Sequence, residues 1–409
     1  MRRLAVPWIA GLLVSAAYGW AELMGYAWSD YQFANEVPMR ALTHGDVGQF
    51  LQMAPVDGPS LLLRAPFAFG AWIWGASDLA IYRMVAVPGL LAGAMLGVAL
   101  WRLREKLQPN GRWLLLVALL AAGNPVLLRA LYIGHPEEML GAALSVGAVL
   151  AALRQRPWLA AVLLGLALGN KAWAVLAIGP VLLALEHRRV AVFAISSGIG
   201  AAFILPFLVA QHGGGDGVAG AGVASAAQTF GVFRPWQLWW FLGDHGHEVR
   251  GILGDLKVGY RTPPTWLGPV SHPLIAVLVV PASLLWRRRR GSGPASEDVL
   301  LLLATLFLAR CVLDAANNVY YHLPFLMALL AWEALRREGP PVFSLVAVCV
   351  IWLTFQRLPL VLSPDAQCVA YLAWALPALA VLTRVTFRLG APARAPSIRI
   401  AAPAAAVES

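Results

Sequence analysis

Residues 154–189 read RQRPWLAAVLLGLALGNKAWAVLAIGPVLLALEHRR. Arg154 and Arg156 precede the apolar part, and His187, Arg188 and Arg189 follow it. Short cytoplasmic loops of membrane proteins are enriched in Lys and Arg. Both flanks therefore read as cytoplasmic, and an even number of crossings lies between them. The intervening 157–186 then forms two short helices that turn near Gly169-Asn170-Lys171. A full crossing takes about 20 apolar residues, and shorter or broken helices are tolerated where they line a protein cavity. The alternative is one long tilted helix, which would invert everything downstream.

Outward from this stretch the composition points the same way. The chain has 409 residues, 59% of them apolar and 13% charged. That charged share is roughly half the about 25% of soluble proteins, and the mean hydropathy is +0.68. A soluble globule is excluded, and so is intrinsic disorder, which lacks apolar mass. Three cysteines (Cys311, Cys349, Cys368) cannot staple a chain this long; all lie in or beside apolar runs and read as core filler. The net charge of +10 reads as loop charge that orients a membrane protein, not as a nucleic-acid surface.

The expectation is an all-α, polytopic transmembrane protein of about 10–12 spans. Spans lie near 4–22, 79–101, 113–132, 137–153, 190–210, 272–286, 299–315, 319–335, 341–356 and 367–387, with the hairpin between the fourth and fifth. Residues 1–389 form one membrane domain, and 390–409 a disordered cytoplasmic tail. Both termini are expected in the cytoplasm, because this topology puts most Lys and Arg inside. Examples are Arg2-Arg3, Arg102/Arg104/Lys106/Arg112, Arg287 to Arg290 and Arg336-Arg337. Residues 1–22 read as an uncleaved span, with a signal peptide as the alternative. Outer loop one covers 23–78, and its stretch Leu61 to Gly75, with Arg64, Trp72 and Trp74, reads as interfacial helices. Outer loop two covers 211–271, Gly-rich at first and then carrying Arg234-Pro235-Trp236-Gln237-Leu238-Trp239-Trp240. No internal repeat is visible.

Polar residues gather at the expected outer ends. Ser29-Asp30-Tyr31 follows the first span, with Glu36, His44-Gly45-Asp46 and Asp57 after it. Asp30 is a candidate base or a helix-end carboxylate. Gly134-His135-Pro136-Glu137-Glu138 joins two spans; Pro and acids suit a helix start, while His135 and Glu137 are also candidates to contact a polar substrate. Lys171 either snorkels or supplies a cation to a lipid phosphate. Arg310 and Asp314 are spaced to pair. With Asn317, Asn318, Tyr320, Tyr321 and His322 they also suit sugar and phosphate recognition. Trp236 is an interface anchor or a sugar-stacking platform. There is no HExxH, CxxC, EF-hand, Walker A or GxGxxG pattern. No cofactor is expected, although aspartates could hold a divalent ion.

Chemistry at an outer face cannot draw on cytoplasmic nucleotide sugars. A lipid-linked donor removes that obstacle. It needs a carboxylate to act as base on an acceptor hydroxyl and cations at headgroup depth to stabilise the departing phosphate.

With these motifs in order, the chain resembles the GT-C glycosyltransferases, integral-membrane enzymes that use polyprenyl-phosphate sugars. Within that class it resembles the mannosyltransferase-like glycosyltransferase family 87. Ser29-Asp30-Tyr31, Asp57-Gly58-Pro59, Arg64-Ala65-Pro66-Phe67, Gly134-His135-Pro136-Glu137, the segment Leu164 to Lys171 and the segment Asn317 to Pro324 carry the resemblance, over roughly 1–335. It implies a general base in the first outer loop, mapping onto Asp30 with Glu36 and Asp46 as fallbacks. It departs in two places. Tyr31 follows Asp30 where many GT-C enzymes have a second acid, and His135-Pro136-Glu137 stands where family 87 commonly has Gln-Xaa-Asn.

The expected function is inverting transfer of a hexose, such as mannose, from a polyprenyl phosphate to a lipid or glycan acceptor. The reaction would occur at the outer face of the cytoplasmic membrane, in cell-envelope biosynthesis. Lys171 and Arg310 would hold the phosphate. His135, Glu137, Asn318, Tyr321, His322 and Trp236 would meet sugar or acceptor. The bilayer is a partner and nucleic acid is not. A transporter or flippase for a lipid-linked glycan is the rival reading.

Overall fold

The computed structural model describes residues 29–55, 58–75, 77–107, 113–212, 233–245, 249, 256–290, 296–336 and 338–388. The expected first span, its cleavage alternative, Asp57, the Gly-rich start of loop two and the C-terminal tail lie outside them, as do the side chains of Trp72 and Trp74. The described residues form an all-α polytopic protein. Asp244 and Thr262 make an isolated antiparallel bridge.

Among the described residues, seven helices are long and apolar enough to cross a membrane: Asp78–Leu107, Leu114–Ile133, Pro136–Leu153, Arg189–Gln211, Leu267–Arg289, Val342–Leu360 and Pro364–Thr386. Shorter apolar helices add Pro157–Asn170 and Ala172–Ala184, and Asp298–Leu313 and Leu323–Arg336 complete the bundle. Several start on a rule legible in the sequence. Pro125, Pro136, Pro157 and Pro364 each stand in the first turn, where a missing N–H costs nothing. The Asn124 side chain accepts from Leu127 N at 3.0 Å, which separates helix 114–123 from helix 125–133.

The opening stretch is a hairpin. Helix Pro157–Asn170 ends at Lys171, whose backbone is extended (φ −153°, ψ 136°). The chain then returns through a 3-10 segment, Ala172–Ala177, and helix Ile178–Ala184. Gln155 joins the two ends: its Nε2 donates to Ala184 O at 3.1 Å and its Oε1 accepts from Glu186 N at 3.0 Å. One straight helix would hold those ends about 45 Å apart, at 1.5 Å per residue. The hairpin puts Lys171 at one end of the bundle and both basic flanks at the other.

Helix 136–153 is the centre of the bundle. Of its apolar window 83% is buried, against 17% for helix 364–386 at the periphery. It packs on helices 78–107, 157–170 and 323–336. The approach of helix 78–107 is close enough that a Cβ on Gly89 would meet Pro136 O at 2.5 Å. The peripheral helices expose Val190, Phe193, Val277, Val280, Val346, Val369 and Val381. An apolar surface this extensive needs lipid rather than water.

Loop one is helical, with Ser29–Ala34, Glu36–Thr43, Val47–Met53, Gly58–Ala68 and a 3-10 turn at Phe69–Trp74. It was expected to lie at the interface from Leu61 onward. There Leu61 and Arg64 are fully buried in protein, in a second core around Tyr31, Met39, Phe50, Tyr82 and Phe207, while Phe69 is exposed. Cys311 and Cys368 are core residues, but Cys349 is exposed; that part of the cysteine reading is corrected, because helix Val342–Gln356 turns much of its surface outward.

The end opposite Lys171 is tied by its own polar contacts. Arg104 Nη2 donates to Glu338 O and Gly339 O. Glu333 accepts from Phe343 N, Ser344 N and Ser344 Oγ, and Asp298 meets Trp332, Arg336 and Arg388.

Candidate functional site

The site is built on Gly134-His135-Pro136. Gly134 caps helix 125–133 in the left-handed region (φ +108°), and its N–H returns to Ala130 O and Leu131 O. His135 N also donates to Ala130 O, at 2.8 Å, and Pro136 opens the next helix at once. The His135 backbone is thus held from both sides. A Cβ on Gly134 would lie 2.8 Å from Tyr31 N. Glycine here lets helix 29–34 dock against the turn and bring Asp30 in.

Both ring nitrogens of His135 face carboxylates. Nε2 lies 2.9 Å from Asp30 Oδ2 and Nδ1 lies 2.7 Å from Glu137 Oε1. The ring stacks on Tyr320 with centroids 4.0 Å apart. Burial pulls the imidazolium down, but the Glu137 charge and the hydrogen bonds to Asp30 and Glu137 outweigh it and lift the pKa to about 9.

Glu137, with no exposed surface, is the hub. Lys171 Nζ lies 3.2 Å from its Oε1 and Arg64 Nη2 lies 3.4 Å from its Oε2. Its backbone carbonyl accepts from Asn170 Nδ2 at 2.9 Å, and Asn170 Oδ1 accepts from Ser60 Oγ at 2.8 Å. Loop one, the central helix and the hairpin tip meet in this chain of contacts. Lys171 also reaches Glu138 Oε1 at 3.7 Å. No family model, curated protein or solved structure matches this chain.

Among the three acids of this cluster, Asp30 is the open one, with 27% of its side chain exposed against 0% for Glu137 and 1% for Glu138. The alternatives in loop one have other work. Glu36 pairs with Arg40 at 2.8 Å, and Asp46 caps helix 47–53 by accepting from Gln49 N at 2.9 Å.

Arg310 lies next door, but it is buried and stacked against Trp173 (5.2 Å) and Tyr321 (4.3 Å). Its Nε is 3.9 Å from Asp314 Oδ2, and Asp314 Oδ1 is 3.8 Å from His272 Nε2. His272 and Arg310 thus face the Asp314 carboxylate from two sides. The expectation of Arg310 as a direct phosphate ligand is corrected to that of a cation behind an aromatic wall.

Two expected sugar contacts are withdrawn into the core, and a third has a capping role. His322 has no exposed surface and packs among Phe355, Tyr371 and Trp374, because its 3-10 turn, Val319–His322, points it into the bundle. Trp236 is buried against Phe355 at 4.7 Å and offers no open face. Asn318 caps that turn by accepting from Val319 N at 2.8 Å. Tyr321 is half-buried beside Arg310. The sequence reading gave Arg64 and Asn170 no role in the site, and it named Tyr320 and Glu138 within their motifs without assigning either a role. A lone Arg in an apolar stretch and an Asn beside Lys171 were the available signals. Among the described residues no group of three or more His, Cys, Asp or Glu is arranged to hold a metal ion.

Proposed function

We propose that this chain is an inverting, membrane-embedded glycosyltransferase that moves a hexose from a polyprenyl phosphate to an acceptor hydroxyl. The observation that carries this reading is Asp30, a half-open carboxylate held by His135 in a cluster that also contains the Lys171 ammonium. Asp30 takes the acceptor's O–H proton. The acceptor oxygen forms a bond to the anomeric carbon as the bond from that carbon to the phosphate oxygen breaks. The electron pair leaves on the phosphate, which needs no acid because it is a stable anion. Lys171, 18% exposed and carrying three N–H donors, stabilises that charge. Arg310 adds its field from behind Tyr321.

The positive-inside rule supports a cytoplasmic basic end, and with it a reaction at the outer face of the cytoplasmic membrane. The donor enters from the lipid between helices, and a lipid or glycan acceptor meets Asp30 under loop one. A transporter of lipid-linked glycans would be expected to carry ionisable groups through the span centres. The segments 84–101, 139–153, 157–170, 190–211, 299–309 and 342–356 contain no Asp, Glu, Lys, Arg or His. That speaks for one-sided chemistry.

The test uses purified protein, a panel of radiolabelled polyprenyl-phosphate sugars and acceptor extract from the native membrane. Turnover of one donor by wild type and its loss in folded Asp30→Asn supports the reading. Turnover of none, with extract shown active, overturns it.

A further inference from the structure

The Asp30–His135–Glu137 bridge poses a proton-counting problem. A neutral imidazole has one N–H, but both nitrogens lie within hydrogen-bond distance of a carboxylate oxygen, at 2.9 and 2.7 Å. Two ionised carboxylates can be satisfied together only if both nitrogens are protonated. The surroundings favour that state. Glu138 adjoins Glu137 on the same helix, and Tyr320 stacks a π face on the ring. Against it stand Lys171 at the hairpin tip and Arg64 behind Glu137, both on Glu137 itself, and Arg234 within electrostatic reach of Tyr320.

We infer that His135 is a positioning residue that works as an imidazolium clamp, its two N–H groups holding Asp30 and Glu137 at once. Glu137 is itself fixed by Lys171, Arg64 and the Asn170–Ser60 chain, so the clamp transmits that rigidity to Asp30 on the separate helix 29–34. Loss of the clamp proton removes one of the two hydrogen bonds, so the continuous link from Asp30 through His135 to Glu137 is broken. The significance of an aimed Asp30 rests on the transferase reading; the protonation state of the clamp does not.

The test is nitrogen NMR of the full chain labelled with 15N-histidine in lipid nanodiscs, with His135 assigned by its loss in His135→Gln. At pH 7.5 both His135 nitrogens are expected in the imidazolium range, with deprotonation near pH 9. Asp30→Asn and Glu137→Gln should each lower that midpoint, by about one to three units. A single neutral tautomer at pH 7.5, or a midpoint that neither variant moves, overturns the clamp. Turnover gives a second readout. The wild-type kcat should fall on the alkaline side as His135 deprotonates. His135→Gln should lack that limb, with kcat down about 100-fold from misplacement of the base and donor KM nearly unchanged. A rise in KM with kcat kept would also overturn the clamp. Full activity of Asp30→Asn with the expected NMR result would sink the transferase base and leave the clamp standing.

Discussion

Glu137 has no exposed surface and three cationic or donor neighbours: His135, Lys171 and Arg64. Removing one partner of a buried ionic network leaves the others uncompensated, at a cost of about 3–5 kcal/mol. Glu137→Ala should therefore lower the melting temperature sharply, and Glu137→Gln, which keeps shape and one acceptor, should lower it less. Thermal melting in detergent checks both. His135 supplies a pH signature with a definite sign. Its pKa rises from 6.5 to about 9 on folding, so its contribution to stability is full below about pH 6.5. It is lost as pH climbs through about 9. Melting temperature against pH should show an alkaline decline over that window that is reduced in His135→Gln.

Among the elements, the docking of helix 29–34 on the turn at Gly134 decides whether Asp30 reaches the site. Gly134→Ala meets two penalties: a left-handed backbone, roughly 1–2 kcal/mol for an L-residue, and a Cβ 2.8 Å from Tyr31 N. Gly45, at φ +86° with nothing within 4 Å of its Cβ, meets only the first. Gly45→Ala should keep turnover while costing some stability. Gly134→Ala should lose turnover beyond its stability cost, because Asp30 is pushed from His135. Comparing melting temperature and sugar transfer for the pair isolates the docking.

At the scale of the whole molecule, two polar ends flank an apolar middle. With exposed Cys349 replaced by Ser, single cysteines introduced as His44→Cys and Lys257→Cys should react from one side of sealed vesicles. His187→Cys and Arg288→Cys should react from the other, the cytoplasmic side if the basic end lies there. Labelling of all four from one side would break the topology. Much of this plan was legible in the chain. Span lengths, Pro at helix starts and basic loops are local properties, and the repeated Arg flanks around 157–186 located the hairpin that Gln155 closes. The site was half legible: Asp30, His135, Glu137 and Lys171 stood out because charges are costly between apolar runs. That Asp30 meets His135 while Glu36 pairs with Arg40 and Asp46 caps a helix, that His322 and Trp236 withdraw into the core, and that Arg64 and Asn170 join the cluster required the fold. Sequence determined which segments must enter lipid and where charge can remain, because those costs are set residue by residue. Which charges meet was decided by tertiary structure alone: Asp30 and His135 are 105 positions apart, and only the packing of one helix on another brings such groups within reach of a shared proton.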